Sequence, residues 1–301
     1  MKFPIFISSI ILLITLSSSP HSHAEDVAAV KSVDILPYRD ALKGFKSAVK
    51  ANVYEYVIEN GDNSSILFRL KGTDLIFTLG TDALTLVKDE IKDKPIVFTF
   101  VLNPDADIKS RYPHITGIDI NIPPEEQFKA LLQVAPQVKR IGVIYDPSKS
   151  QSIINEAEAA AKKLEVSLVI KKIDSKTEAI DAISRMEGNV DALWMAPDTT
   201  AITPESINYM LLFAFRNRIP LIGISDKYVK DGVLLALSFD SEDIGRQAGE
   251  MANRILEGKD IKEFSLIKPR MVKFSINLNT AEKIGIKISE RVIRLADRVY
   301  K

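Results

Sequence analysis

The chain has 301 residues, 40 of them basic and 40 acidic, with three histidines and no cysteine. A neutral balance gives no electrostatic pull toward nucleic acid or an anionic membrane surface. Without cysteine there is no disulfide framework, no thiolate metal centre, no cysteine nucleophile and no lipid-modified cysteine.

The first element is a targeting pattern. MKFPIFISSIILLITLSSSPHSHA places Lys2 before an apolar run from Phe3 to Leu16 and a polar, small-residue stretch ending Ser22-His23-Ala24. This predicts a signal peptide over 1–24, cleaved after Ala24. The run is shorter than the roughly 20 apolar residues of a membrane span, so export and removal are preferred to an anchor. His21 and His23 leave with it. His114, in Tyr112-Pro113-His114-Ile115, is expected at the surface where a loop enters a strand. A single histidine builds no metal cluster, and a Ser-His-Asp triad would have to use His114.

Farther on, DLIFTLGTDAL (74–84) reads as a strand that breaks at Gly80 into a helix capped by Thr81, with Asp82 in its first turn. Such a turn presents backbone N–H groups and the positive helix end, a candidate anion site. A proline-led strand follows, KPIVFTFVLNP (94–104). KRIGVIYDP (139–147) and VSLVIKKI (166–173) flank an alanine-rich helix over about 151–164, whose Ala157, Ala160, Ala161 and Leu164 share a face. EAIDAISRME leads as a helix into NVDALWMAPDTTA (189–201), which repeats the grammar of the 72–84 segment. IPLIGISDKYV (219–229) repeats the proline-led strand. Trp194, mid-strand, is expected in a core rather than stacked on a ligand.

Alternating strands and helices with near-continuous apolar strands predict an α/β fold whose parallel sheets are covered on both faces. Two similar halves predict two sheets. Ligands of open parallel sheets bind beyond the carboxyl ends of the strands. If Gly80-Thr81-Asp82 and Pro197-Asp198-Thr199 look into one cleft, the protein closes on a small molecule. The alternative is two independent flavodoxin-like layers with no shared site. GxGxxG, GxxxxGK[ST], HExxH and GxSxG are all absent, so neither an enzyme nor a cofactor is expected. A helix-turn-helix for DNA is absent too.

Eight stretches carry a family resemblance. They are LPYRDALKGFKSAV (36–49), DLIFTLGTDAL, KPIVFTFVLNP, HITGIDINIPPEEQF (114–128), VKRIGVIYDPSKSQS (138–152), VDALWMAPDTT, the run from IPLIGISDKYV to ANRILEG (219–258) and INLNTAEKIGI (276–286). In this order they resemble the periplasmic substrate-binding proteins of ABC transporters, in the type I branch that includes tryptophan-binding members. The resemblance implies two Rossmann-like lobes joined by a multi-strand hinge. The first lobe would hold 25–117 plus about 241–268, the second 118–240 plus about 269–301. Crossings fall near Gly117 to Ile122 and Ser238 to Ser241, and a helix from about Asp243 to Leu256 returns to the first lobe. The function implied is capture of an amino acid or similar zwitterion in the periplasm, by a monomer that delivers it to an ABC permease in the inner membrane. A ligand sensor docking on a membrane receptor is the alternative.

Carried over by position, the family's pocket loops fall on Ser32, Val33, Gly80, Thr81, Asp82, Thr99, Leu102 and Asn103 in the first lobe. In the second they fall on Tyr145, Ser150, Asp198, Thr199, Ser225 and Asp226, with Asp240 at the hinge. A ligand carboxylate suits the N–H groups and hydroxyl at Gly80 to Asp82, and an ammonium suits Asp198 or Asp240. Thr81, Asp198 and Asp226 read equally well as helix caps. Two departures stand out. Gln151 replaces the usual Asn, and the stretch between Val53 and Thr73 leaves little room for a full strand and helix, so the first lobe is expected to be reduced.

Overall fold

The computed structural model describes residues 25–301 except 60, 102–103 and 105–107. The expected signal peptide and the expected site residues Leu102 and Asn103 lie outside the described residues. The chain opens with β1 (Asp26–Lys31), α1 (Leu36–Ala48), β2 (Asn52–Val57), α2 (Ser64–Leu70), β3 (Leu75–Leu79), α3 (Thr81–Lys88), β4 (Ile96–Thr99), α4 (Ile108–Arg111) and β5 (Ile115–Gly117). Their strands pair in parallel in the order β2-β1-β3-β4-β5. All five residues of β3, LIFTL, are buried, as a strand covered on both faces requires.

A second run follows: α5 (Pro124–Val134), β6 (Arg140–Tyr145), α6 (Pro147–Lys163), β7 (Ser167–Lys172), α7 (Ala179–Ser184), β8 (Ala192–Trp194), α8 (Pro204–Asn217), β9 (Leu221–Gly223), α9 (Asp226–Lys230) and β10 (Leu235–Phe239). After α10 (Ser241–Leu256) come β11 (Val272–Asn277), α11 (Leu278–Ile284), α12 (Glu290–Leu295) and β12 (Arg298–Tyr300). The second sheet has seven strands in the order β12-β11-β10-β9-β8-β6-β7. The fold is the expected one, two parallel-rich α/β lobes joined by a multi-strand hinge.

Four local expectations are corrected. β11 runs antiparallel to β10, because the chain enters it from the hinge at the end where β10 leaves. SERVIRLADRVYK (289–301), whose amphipathic pattern predicts one last helix, instead splits after α12. Asp297 accepts the Phe274 N–H at 2.7 Å, and β12 then pairs with β11 in parallel. The first lobe is not short of a strand, since β2 pairs with β1 along all six residues and the economy falls on the seven-residue α2. His114 is half-buried rather than at the surface, and burial lowers its pKa.

The chain returns to the first sheet through α10, which packs against α1 with almost no separation. A Cβ on Gly245 would lie 1.7 Å from the Ala41 carbonyl oxygen, and one on Gly44 would lie 1.8 Å from that of Glu242. Ile244, Ala248, Met251, Ala252 and Ile255 of α10 join Leu42 and Phe45 of α1 in the core beneath, where Phe45 stacks on Phe77 at 4.1 Å. Three segments cross between the sheets. The third, around Ile267 to Lys273, carries cations that bind the other two. Lys268 meets Asp119 at 2.6 Å, and Lys273 meets Asp240 at 2.7 Å. Arg270 meets Asp243 at 2.6 Å and Glu250 at 3.1 Å. Asp119 N–H and Ile267 O, 2.9 Å apart, join the first crossing to the third.

Candidate functional site: the cleft at the hinge

In the first lobe the turn after β3 is organised around Gly80, whose φ of +100° lies in a region that glycine tolerates. A Cβ there would come within 2.5 Å of both the Ser32 Oγ and the Tyr38 hydroxyl. The expectation that Thr81 caps α3 is corrected. Gly80 is the N-cap residue, Thr81 is already in the helix, and Ser32 Oγ from the loop after β1 accepts the Ala83 N–H at 2.8 Å. One orphan donor of the helix end is thus satisfied by a side chain from another loop. Thr81 and Asp82 are exposed, as is Val33. Thr99 is buried at the end of β4. Its carbonyl accepts the Gly80 N–H at 2.9 Å, while its hydroxyl has no partner among the described residues.

Beside that turn runs an aromatic row. The Tyr38 and Phe100 centroids are 5.1 Å apart, and Phe100 meets Phe239 edge-on at 5.7 Å. Phe100 has φ +58°, a strained value for a bulky residue and one that marks functional sites more often than plain scaffold. Burial first, then the Asp82 carboxylate, raises the pKa of the Tyr38 phenol.

The matching turn of the second lobe is built differently. Asp198 is buried, and its carboxylate accepts N–H groups from Asp146, Thr200 and Ala201, each at 2.8 Å. Asp146 in turn caps α6 through Ser148 and accepts the Thr200 hydroxyl at 2.8 Å, and these donors lower its pKa. Ser150, fully buried, donates to the Pro197 carbonyl at 3.2 Å. Tyr145 is likewise buried and donates to Gln151 Oε1 at 2.8 Å, while the Gln151 amide reaches Asn155. Gln151 thus closes a hydrogen-bonded chain on the outer side of α6. Thr199 is exposed. Trp194 is in the core as expected, edge-on to Phe128, with its indole N–H on Gln127 Oε1 at 2.8 Å.

Two cavities meet at Phe239. One, of about 260 Å³, is mostly apolar, with Ile120, Ile122, Pro197, Tyr228 and Leu237 in its wall. The other, of about 300 Å³, is polar, with Asp40, Asp226, Ser238, Asp240, Lys273 and Arg298 in its wall. Burial pushes the Asp226 carboxyl up, but hydrogen bonds from Ser275, Tyr300 and Arg298 outweigh it and hold the pKa below the ordinary value. Lys273 does the same for Asp240, which also caps α10 through the Asp243 N–H.

Of the expected site residues, Val33, Thr81, Asp82 and Thr199 are exposed and line neither cavity, and the other described ones fall into three groups. Ser32, Gly80 and Thr99 meet at the turn after β3, in the wall of neither cavity. Ser225 reaches the apolar cavity, while Asp226 and Asp240 reach the polar one. Tyr145, Ser150 and Asp198 form the buried support behind Pro197, and the Asp198 oxygens are engaged inside the lobe rather than offered to an ammonium. Sequence reasoning missed Tyr38, Phe100, Tyr228 and Phe239. A signal existed for two of them: Tyr38 lies on the first turn of the helix after Ser32, and Tyr228 lies two residues past Asp226.

A family model described as ABC transporter substrate binding protein matches residues 39–300. The chain belongs to this family. Among its relatives, the tyrosine-binding protein of Clostridioides difficile (strain R20291) is 26% identical over 271 residues, covering 82% of this chain and 77% of that protein. An ABC domain in complex with L-Trp from Streptococcus pneumoniae has 22% identity and a TM-score of 0.72, covering 92% of this chain and 99% of that one. The ligand-free, open structure of a Clostridium difficile substrate-binding protein with adhesive properties has 19% identity and a TM-score of 0.74 over the same shares. At these identities the two solved structures speak for the fold alone. The family is one of solute-binding proteins rather than enzymes. Among the described residues no group of three His, Cys, Asp or Glu is placed to hold a metal ion.

Proposed function

We propose that this substrate-binding protein is exported, folds in the periplasm as the two lobes 25–117 with 241–268 and 118–240 with 269–301, and closes them around an aromatic amino acid. The permease of an ABC transporter recognises that closed form. The observation that carries the ligand class is the apolar cavity at Phe239, which continues the aromatic row Tyr38–Phe100–Phe239 and is faced by Tyr228. At about 260 Å³ it lies just below the roughly 300–1,000 Å³ usual for small-molecule sites, so it suits one amino acid rather than an oligopeptide.

In the polar cavity on the other side of Phe239, Asp226 and Asp240 already hold Arg298 and Lys273 and would meet an ammonium only by sharing them, while the exposed α3 terminus at Thr81 and Asp82 supplies N–H groups for a carboxylate. The printed ligands of two relatives, tyrosine and L-Trp, support the same class. The residues 1–24 support export. Binding works by population shift: a ligand that touches both lobes stabilises the closed form by its differential affinity.

The test is calorimetry of ligand-stripped protein against the common amino acids, paired with solution scattering. Saturable binding of aromatic members with a fall in radius of gyration is expected. Tight binding of a non-aromatic solute, with none for aromatic ones, overturns the ligand class.

A further inference from the structure

Neither cavity at the hinge is by itself of ordinary size for a ligand. The apolar one, at about 260 Å³, and the polar one, at about 300 Å³, lie at or under the lower end of the roughly 300–1,000 Å³ such sites occupy, whereas the two joined would lie inside that range. Among the described residues Phe239 alone belongs to both walls. Elsewhere the separation is main chain. Successive side chains of a strand point to opposite faces, so Leu237 enters the apolar wall and Ser238 the polar one. The start of α9 divides in the same way, with Ser225 in the apolar wall and Asp226 in the polar one. Where β10 ends, the Phe239 side chain continues the division that its backbone began.

This side chain is held in place. Phe239 is the last residue of β10 and pairs with Val272 of β11, while the next residue, Asp240, is fixed by Lys273 and by the end of α10. From the first lobe, Phe100 meets the Phe239 ring edge-on at 5.7 Å and is itself backed by Tyr38 at 5.1 Å. An edge-on aromatic pair adds its own preference for that geometry to the burial of both rings.

We propose that Phe239 is a specificity-determining residue, a fixed partition that confines the ligand to the apolar cavity and excludes any solute long enough to continue past the ring. This rests on the reading above that an aromatic amino acid occupies the apolar cavity. Exclusion of this kind is a clash built against the wrong ligand rather than a contact made to the right one. The polar wall also sets which extension would be taken if the ring were absent. Asp226 and Asp240 hold Arg298 and Lys273 there, but Asp40 forms no ion pair among the described residues. An extension ending in a cation therefore gains the most from removal of the partition.

Calorimetry on the full, ligand-stripped chain first selects the tightest ligand among L-tyrosine, L-tryptophan and L-phenylalanine, then compares it with its dipeptides with lysine and with glutamate, in both orders. The wild type is expected to bind the free amino acid at least tenfold tighter than any of these dipeptides. Phe239→Ala is expected to shift that ratio at least tenfold toward a lysine dipeptide and less toward the glutamate ones. The ratio within one protein cancels any general loss of affinity. If the alanine variant fails to fold, Phe239→Leu is expected to shift the ratio in the same direction by a smaller factor. A wild type that binds a dipeptide as tightly as the free amino acid, or a ratio unchanged in the variants, overturns the partition and leaves the aromatic ligand class standing. Equal gains for lysine and glutamate dipeptides overturn the part assigned to Asp40. No binding of any aromatic amino acid to the wild type overturns the ligand class and the partition together.

Discussion

The two lobes carry the same turn in different materials. In the first, Gly-Thr-Asp after β3 is held by backbone closeness: Gly80 lets Ser32 and Tyr38 sit over the turn, and Gly44 and Gly245 let α10 lie directly on α1. In the second, Pro-Asp-Thr after β8 is held by buried side-chain hydrogen bonds that run from Asp146 through Asp198 and Thr200. The sequence grammar is shared, yet Asp82 faces water and Asp198 is sealed in. The lesson is that a matching turn does not imply a matching role for its carboxylate. The first lobe leaves the end of α3 partly open, whereas the second folds Asp198 onto its own turn and caps α8 separately with Thr203.

This contrast breaks most readily at the glycine crossing. Gly245→Ala places a Cβ where only 1.7 Å separates it from a main-chain oxygen that cannot swing away. Overpacking of this kind costs about 3 kcal/mol or more, and chemical denaturation should show it as a lower midpoint with an unchanged slope. A midpoint within error of wild type would mean that α10 is free to shift on α1, and the first lobe would lose its claim to backbone-tight construction.

The carboxylates give the next effect. Asp198→Ala leaves three buried N–H groups without an acceptor and should destabilise by about 2–3 kcal/mol, whereas Asp82→Ala, on the surface, should stay within about 0.5 kcal/mol. Equal losses for the two variants would show the turns to be equivalent after all.

Much of this plan was legible in the sequence. The β3, β4, β6 and β8 strands announce themselves as apolar runs, and α10 shows its core face at helical spacing. The repeated turn located both strand ends. What was not legible follows from distance along the chain. The aromatic wall gathers positions 38, 100 and 239, and no local pattern links them. Ser32 caps a helix that begins 49 residues later, so Thr81 looked like the cap from its neighbours alone. Arg298-Val299-Tyr300 has no strong strand signal of its own. It becomes a strand because β11 offers an open edge and Asp226 receives Arg298 and Tyr300. Asp198 stayed open to both readings for a related reason: a short acidic side chain in a turn is chemically identical whether it serves a ligand or its own backbone, and only its burial, six residues before α8 begins, shows it bonded to the backbone.

The smallest effect concerns the hinge, where the two constructions meet. Asp240 caps α10 of the first lobe and pairs with Lys273 of the second sheet at 2.7 Å. Lys273 is the leading cause of its lowered pKa, so the folded protein binds the Asp240 proton less readily than the unfolded chain does. The sign follows from linkage: the contribution is fully present above the ordinary carboxylate range near pH 4 and is lost as pH falls through the lower folded value. Lys273→Met should therefore lower stability at neutral pH by about 0.5 kcal/mol, the scale of a partly exposed pair, and the deficit should shrink as the pH drops below about 4. Melting curves of both proteins across that interval test it. A deficit that stays constant with pH would assign Lys273 a packing role and leave Asp240 a plain helix cap, with the two lobes joined by backbone alone at that crossing.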